Sequence, residues 1–117
     1  MMQKQIFRGI IILTIIVCSC KKETNTSTWV AINTGFPVTD TYGDLPYVYS
    51  MAISGNSMFA GTDHGVYLSS NNGNSWKAMN TGLPSYTSAV ICIVFDKTYA
   101  YIGTGGNGVY KQLLSAL

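Results

Sequence analysis

The sequence predicts an all-β protein in which two four-stranded antiparallel units follow an N-terminal signal helix. Segments of the chain are nearly repeated further along it. The runs between them are short, rich in β-branched and aromatic residues, and bounded by Gly or Asn, as antiparallel strands are. No helical periodicity competes after residue 20. With 117 residues, the chain has room for one domain.

The first element is an export signal, to which we assign residues 1–19. Lys4 and Arg8 accompany a run of eight residues, 10–17, that is apolar apart from one Thr. A charged start and an apolar centre are typical of a signal peptide. A transmembrane helix would need about 20 apolar residues, and the charged residues 21–23 end the run early.

The end of this segment, 17–20, resembles the lipobox of bacterial lipoproteins. It has an apolar residue three positions before Cys20 and a small residue directly before it. The resemblance implies that Cys20 becomes the first residue and carries acyl chains such as palmitate, which would anchor the protein to the cell envelope, with the outer membrane as the expected location. Cys18 is the alternative lipidated residue, and a plain secretory signal is the simpler alternative. Residues 20–28 then form a polar tether.

The remaining composition argues against catalysis and nucleic-acid binding. Beyond residue 20 the chain has five Lys, five Asp or Glu, and no Arg. No basic patch is left to attract phosphates. Acid–base catalysis and metal binding each need several convergent side chains, whereas the chain has one His and few carboxylates. We therefore expect no enzymatic activity, no metal and no cofactor, and we expect Cys92, within an apolar run, to be a small buried hydrophobic residue.

The domain, residues 29–117, contains one sequence motif that occurs nearly twice. Segment 29–37 matches 76–84 at an offset of 47. The other matches pair 61–67 with 103–110, which has one inserted residue, and 51–53 with 92–94 at an offset of 41. The interpretation requires Trp29 and Trp76 to begin the same outer strand, used twice.

Within one unit the predicted strands are 49–54, 58–62, 66–69 and 76–79. Four strands in about 40–45 residues is the spacing of a β-propeller blade. The last unit has three predicted strands, and residues 29–33 are expected to supply its fourth. Because ring closure takes about 4–8 blades, two blades make an incomplete propeller. A small two-sheet domain or a remnant of a longer gene is favoured over assembly into a ring, although uncovered apolar faces promote self-association.

The turn at 69–76 resembles the Asp-box of the bacterial-neuraminidase (BNR) repeat, with Asn71 in place of the usual Asp. Asn71 is expected to bond to amides of its own turn, Gly73 to adopt a positive φ, and Ser75 to tie the loop from the other side. Trp76 begins the outer strand and is expected to bury its ring between sheets. The resemblance implies that these residues, with Ser69, have a structural role.

Over 29–113 the chain is similar to exported propellers of the sialidase-like and photosystem-assembly-factor-like groups. Sialidases bind the substrate carboxylate through three arginines, which this domain lacks, and their Tyr nucleophile and acid/base residue match no position here. We therefore expect a non-catalytic lipoprotein carrying a binding or scaffolding module. The alternative is an inactive, truncated remnant of a sialidase-like glycoside hydrolase.

Two loops are candidates for function. The inserted loop 38–47 carries Tyr42, Asp44 and Tyr47, and Tyr faces beside polar groups can hold a glycan or a protein ligand. A long solvated connector is the plainer interpretation. The adjacent Asp63 and His64 are expected to form a solvated hairpin rather than an acid–base pair, because neighbours in a strand point to opposite faces.

Overall fold

The computed structural model describes residues 27–85 and 89–117, so the predicted signal helix and Cys20 lie outside the described residues. Within those residues the protein is all-β, with two antiparallel sheets, no α-helix and one short 3₁₀ turn, Leu114–Ala116. The first sheet contains β1 (Val48–Ser54), β2 (Ser57–Thr62), β3 (Gly65–Ser69) and β4 (Lys77–Ala78), and the second contains β5 (Val90–Phe95), β6 (Tyr99–Thr104) and β7 (Val109–Leu113). Residues 31–117 form one compact unit, to which 27–30 do not belong.

The second sheet therefore has three strands rather than the expected four. No strand is assigned to residues 29–33. The side chain of Trp29 is 101% exposed, whereas that of Trp76 is 5% exposed. The prediction that both Trp residues begin the same outer strand is wrong for the single chain, because a strand requires a hydrogen-bonded neighbour and the described residues provide none for Trp29.

The turns that follow the two Trp segments do share one geometry. The amide of Phe36 donates to the carbonyl of Asn33 at 3.2 Å, and the amide of Leu83 donates to that of Asn80 at 3.0 Å. Gly35, before Phe36, and Gly82, before Leu83, both have a positive φ, of 96° and 87°. A turn of this kind needs Gly at its third position, so the repeated Asn-Thr-Gly sequence is explained by the backbone.

The two hairpins in the middle of the sheets are also alike. In β2–β3, the Thr62 hydroxyl donates to the Gly65 carbonyl at 2.9 Å and accepts from the His64 amide at 3.0 Å. In β6–β7, the Thr104 hydroxyl donates to the Gly108 carbonyl at 2.7 Å and accepts from the Asn107 amide at 2.9 Å. The second turn holds one more residue than the first, yet the threonine closes both in the same way.

A bulge at the start of each sheet shows the alignment of the first strands. The register shifts just after Val48 in β1 and just after Val90 in β5, and these positions are 42 residues apart. The offset of 41 expected for these strands is wrong by one. Met51 corresponds to Ile93 and not to Cys92, and this matters because a slip of one residue exchanges the two faces of a strand.

The two sheets share a core. Phe59 and Val66 of the first sheet pack with Val90, Ile93 and, from β6, Ile102 of the second. A separate cluster lies on the other face of the first sheet and contains Ala60, Tyr67, Trp76 and Phe36. Since side chains alternate across a strand, the first sheet is apolar on both faces and only one of them meets the second sheet.

Candidate functional site

The turn between β3 and β4 is closed by three polar side chains. The hydroxyl of Ser69, 1% exposed, donates to Asn71 Oδ1 at 2.9 Å and accepts from the Gly73 amide at 2.8 Å. Asn71 Oδ1 also accepts from the Ser75 amide at 2.9 Å, and its Nδ2 donates to Ser75 Oγ at 2.8 Å. Asn72 and Gly73 both adopt a positive φ, 58° and 82°. These polar atoms bond to one another, which suits a structural role.

Trp76 lies directly before β4, and its ring does not lie between the two sheets as expected. It packs on the opposite face of the first sheet, where the ring of Phe36 stacks on it with centroids 5.1 Å apart. Its indole Nε1 donates to the Ile32 carbonyl at 2.7 Å, and its amide donates to the Thr34 carbonyl at 2.8 Å. Residues 32–36 therefore take the place that a neighbouring sheet would occupy.

The candidate binding loop has an ordered turn at its centre. Asp40 Oδ1 accepts from the amides of Tyr42 at 2.8 Å and Asp44 at 3.1 Å. The Asp44 carbonyl accepts from both the amide and the hydroxyl of Thr39, at 2.8 and 3.0 Å. The hydrogen bond from the Asp44 amide, followed by that from Tyr42, lowers the pKa of the Asp40 carboxyl from its ordinary value. The charged carboxylate therefore shapes the loop.

Three predicted site residues of this loop differ in their surroundings. Tyr42 is 90% exposed and Tyr47 is 71% exposed. Asp44 is exposed and lies in the same turn as Tyr42. The amide of Tyr47 donates to Asp63 Oδ1 at 2.9 Å, so the end of the loop is tied to the β2–β3 hairpin. Sequence analysis missed Asp40 as the residue that organises the loop, although an Asp two residues before a Tyr in a turn is a recognisable signal.

Asp63 and His64 lie in the turn of the β2–β3 hairpin, as expected, but their side chains also form a pair, which was not expected. His64 Nδ1 lies 2.9 Å from Asp63 Oδ1, with the His side chain 46% exposed. Only the part of the expectation that excluded a pair relied on strand alternation, and that alternation does not apply in the turn after β2. The pair borders an open depression of about 550 Å³ that Asn80 and Ser85 also line. Nδ2 of Asn80 donates to the His64 carbonyl at 3.1 Å and so helps to hold the turn that carries the pair. Sequence analysis missed this role of Asn80.

Cys92 is exposed and carries a free thiol, so the expectation of a small buried side chain is wrong. It lies opposite Gly103 on the face of the second sheet that points away from the first. The expectation rested on the apolar run around Cys92, but nothing in the described part of the chain covers this face of the second sheet.

Residues 27–85 and 89–117 contain no group of three or more His, Cys, Asp or Glu side chains arranged to hold a metal ion. Over the same residues, no helix has the length and hydrophobicity needed to cross a membrane. Comparison with protein-family models, with curated proteins and with solved structures finds no match to this chain.

Proposed function

We infer that this protein is a non-catalytic, exported lipoprotein whose β-domain is a binding or scaffolding module built from propeller-type repeats with an Asp-box-like turn. The observation that carries the binding role is the loop 38–47, in which Asp40 holds the backbone while the ring of Tyr42 is 90% exposed. The ligand class is a glycan or a protein segment.

The geometry of the loop supports recognition for an energetic reason. Binding loses free energy when it must order a flexible loop. The hydrogen bonds to Asp40 and Asp44 order this backbone before any ligand arrives. A Tyr ring adds rigid contact area with a polar end at little cost in conformational entropy. An ordered turn that presents an exposed Tyr beside an exposed carboxylate therefore suits a ligand with both apolar and hydroxyl or amide groups.

The repeat assignment is supported by paired local geometry. The Asn33 and Asn80 turns, the Thr62 and Thr104 hairpins, and the bulges of β1 and β5 occur in the same order along the two halves of the domain. A β-protein without an internal repeat is not expected to show three such features twice, in the same order and at related spacings. Successive blades of a propeller do, because each blade is the same supersecondary unit.

Binding is tested with the full chain on a glycan array and in a pull-down from envelope extracts. If the loop is the site, Tyr42→Ala combined with Tyr47→Ala abolishes capture without lowering the melting temperature. Tyr42→Phe is the matched control, since it keeps the ring and removes the hydroxyl, and we expect it to keep at least part of the binding. Capture that is unchanged in the double Ala variant refutes the assignment.

The anchor is tested by labelling cells with radioactive palmitate. Cys20→Ser is expected to lose the label and to leave the membrane fraction, whereas Cys18→Ser keeps both. Loss of label in Cys18→Ser alone would move the anchor to Cys18. Equal labelling of all three proteins contradicts lipidation at either cysteine.

A further inference from the structure

An apolar cavity of about 200 Å³ lies between the two sheets, beside β7 of the second sheet. Its walls include Leu83 and Met79 from the segment around β4, and Ala100, Ile102 and Tyr110 from β6 and β7. Pockets for small-molecule ligands have volumes of about 300–1,000 Å³. The size and apolar walls of this cavity suit a single large side chain better.

The walls of the cavity repeat the surroundings of Trp76. The Trp76 ring is enclosed by residues 32–36 on one side and by Ala60 and Tyr67 on the other. In the repeat, each of these contacts has a counterpart that lines the cavity. The counterparts are Met79 for Ile32, Thr81 for Thr34, Gly82 for Gly35, Leu83 for Phe36, Ile102 for Ala60 and Tyr110 for Tyr67. The cavity is therefore the position that a Trp equivalent to Trp76 would fill in the second sheet.

The chain contains one Trp that matches Trp76 in sequence, and it is Trp29. Its side chain is 101% exposed, and the next residue, Val30, is 77% exposed. An isolated Trp at full exposure leaves a large apolar surface in water, whereas burial of such a ring is a major source of binding energy. The described residues thus leave this Trp-sized cavity unfilled, and they include an exposed Trp in the matching sequence.

Trp29 does not reach the cavity of its own chain while the residues after it keep their contacts. Ile32 and Thr34 are bonded to Trp76 on the face of the first sheet opposite the cavity. Layers packed on the two faces of one sheet are separated by two sheet spacings, about 20 Å. Three extended residues span at most about 11 Å. A Trp29 side chain that fills this cavity must therefore come from another chain.

We propose that Trp29 of one chain fills the cavity of a second copy, and that residues 29–31 join its second sheet as the fourth strand beside β7. In the first sheet, Lys77 of β4 is paired with Leu68 of β3. By the repeat, Val30 lies opposite Lys111 of the other chain. The indole N–H of Trp29 donates to the Met79 carbonyl there, as Trp76 does to Ile32.

The exposed sheet faces support the same arrangement. Val66 on the covered face of the first sheet is 7% exposed, while its counterpart Val109 in the second sheet is 74% exposed. Val90 on the covered face of the second sheet is 0% exposed, while its counterpart Val48 in the first is 48% exposed. Stacking the second sheet of one chain on the first sheet of the next continues the interface that already joins the two sheets within a chain.

Such a contact is heterologous, because two different surfaces meet, and it closes into a ring if the rotation per chain allows. With two sheets per chain, about two to four chains supply the 4–8 sheets of a closed propeller. The cavity and the exposed faces thus favour assembly over the isolated two-sheet domain that the sequence alone favours. This inference concerns assembly and does not depend on the binding loop.

The test is disulfide trapping between full-length chains in detergent, in a Cys92→Ser background. A chain with Val30→Cys is mixed with a chain with Lys111→Cys and oxidised. Paired strand residues fall within the Cα separation of about 4.4–6.8 Å that a disulfide needs. We expect a cross-linked dimer from this mixture, and none above background when Lys97→Cys, in the β5–β6 turn, replaces Lys111→Cys.

A second measurement is the mass of the unmodified chain by light scattering, with detergent subtracted. We expect a multiple of the chain mass, and we expect Trp29→Ala to dissociate while its far-ultraviolet circular dichroism is unchanged. Trp29→Phe, which keeps an aromatic ring, should dissociate less. The proposal is overturned if the mixture gives no specific dimer, or if the cross-link forms only when both cysteines are in the same chain.

Discussion

Replacement of Thr62 by Val measures what one buried hydroxyl contributes, because the chain contains its own control in Thr104. Both threonines close a hairpin with the same two hydrogen bonds. Thr62 is 0% exposed, whereas the bond from Thr104 is exposed to solvent. Valine keeps the β-branched shape, so strand propensity changes little.

The expected magnitudes follow from burial. A protein hydrogen bond contributes about 0.5–1.5 kcal/mol net, and a buried partner left unsatisfied costs about 1–3 kcal/mol. Thr62→Val removes both the donor to the Gly65 carbonyl and the acceptor of the His64 amide at a fully buried position, so we expect a loss of about 2–4 kcal/mol in the free energy of unfolding. Water replaces the hydroxyl at Thr104, so we expect Thr104→Val to lose about 1 kcal/mol or less.

The assay is urea unfolding of the two variants and the parent, followed by circular dichroism and backed by melting curves. For a domain of this size, about 1 kcal/mol shifts the melting temperature by roughly 4–8 °C. Thr62→Val should therefore melt several degrees below Thr104→Val. Equal losses in the two variants would refute the reasoning, because burial is what differs between the two sites.

Three further predictions use the same measurements. Asn71→Ala removes the acceptor of a buried Ser hydroxyl and of an amide, so the free energy of unfolding should fall by about 1–3 kcal/mol; Asn71→Asp, which keeps the acceptor, should lose less. The pKa of Asp96 is lowered by the Tyr99 amide first and by other donors of its turn. The stabilisation that the charged Asp96 gives to the folded state is therefore present above the ordinary carboxyl pKa of about 4 and is lost as pH falls through the lower pKa of the folded state. Acid unfolding of Asp96→Asn should accordingly depend less steeply on pH in that range. Identical acid-unfolding curves for the variant and the parent would contradict this. Gly35→Ala should lower the melting temperature more than Gly108→Ala, since both have a positive φ but only the Cβ at Gly35 would meet a neighbouring backbone carbonyl.

Much of the fold could be predicted because the signals are local. The strands that became β2 and β3 lie between Gly and Asn turns whose hydrogen bonds involve residues a few positions apart. The Asn71 turn is predictable for the same reason, since its donors and acceptors lie within residues 69–75. Hydrogen bonds between residues so close in the chain can be predicted from the residue types alone.

What could not be predicted depends on contacts distant in the chain. The equivalent bulges in β1 and β5 fix the offset of the two first strands at 42, whereas their sequences resemble each other at either offset and do not distinguish 41 from 42. The exposure of Cys92 and Trp29 depends on whether another sheet covers them, which no short motif states. The side on which Trp76 packs follows from Phe36, 40 residues earlier.

The longer β6–β7 turn has a consequence for engineering. Thr104 closes that turn with the same hydroxyl contacts that Thr62 makes in a tighter one, and the extra residue leaves the strand pairing on both sides intact. A site that already accommodates a length change without disturbing its sheet is suited to carry an epitope or a fluorophore-labelling tag. Residues 105–107 are thus the position at which a tag can be inserted with the least disturbance of the two sheets.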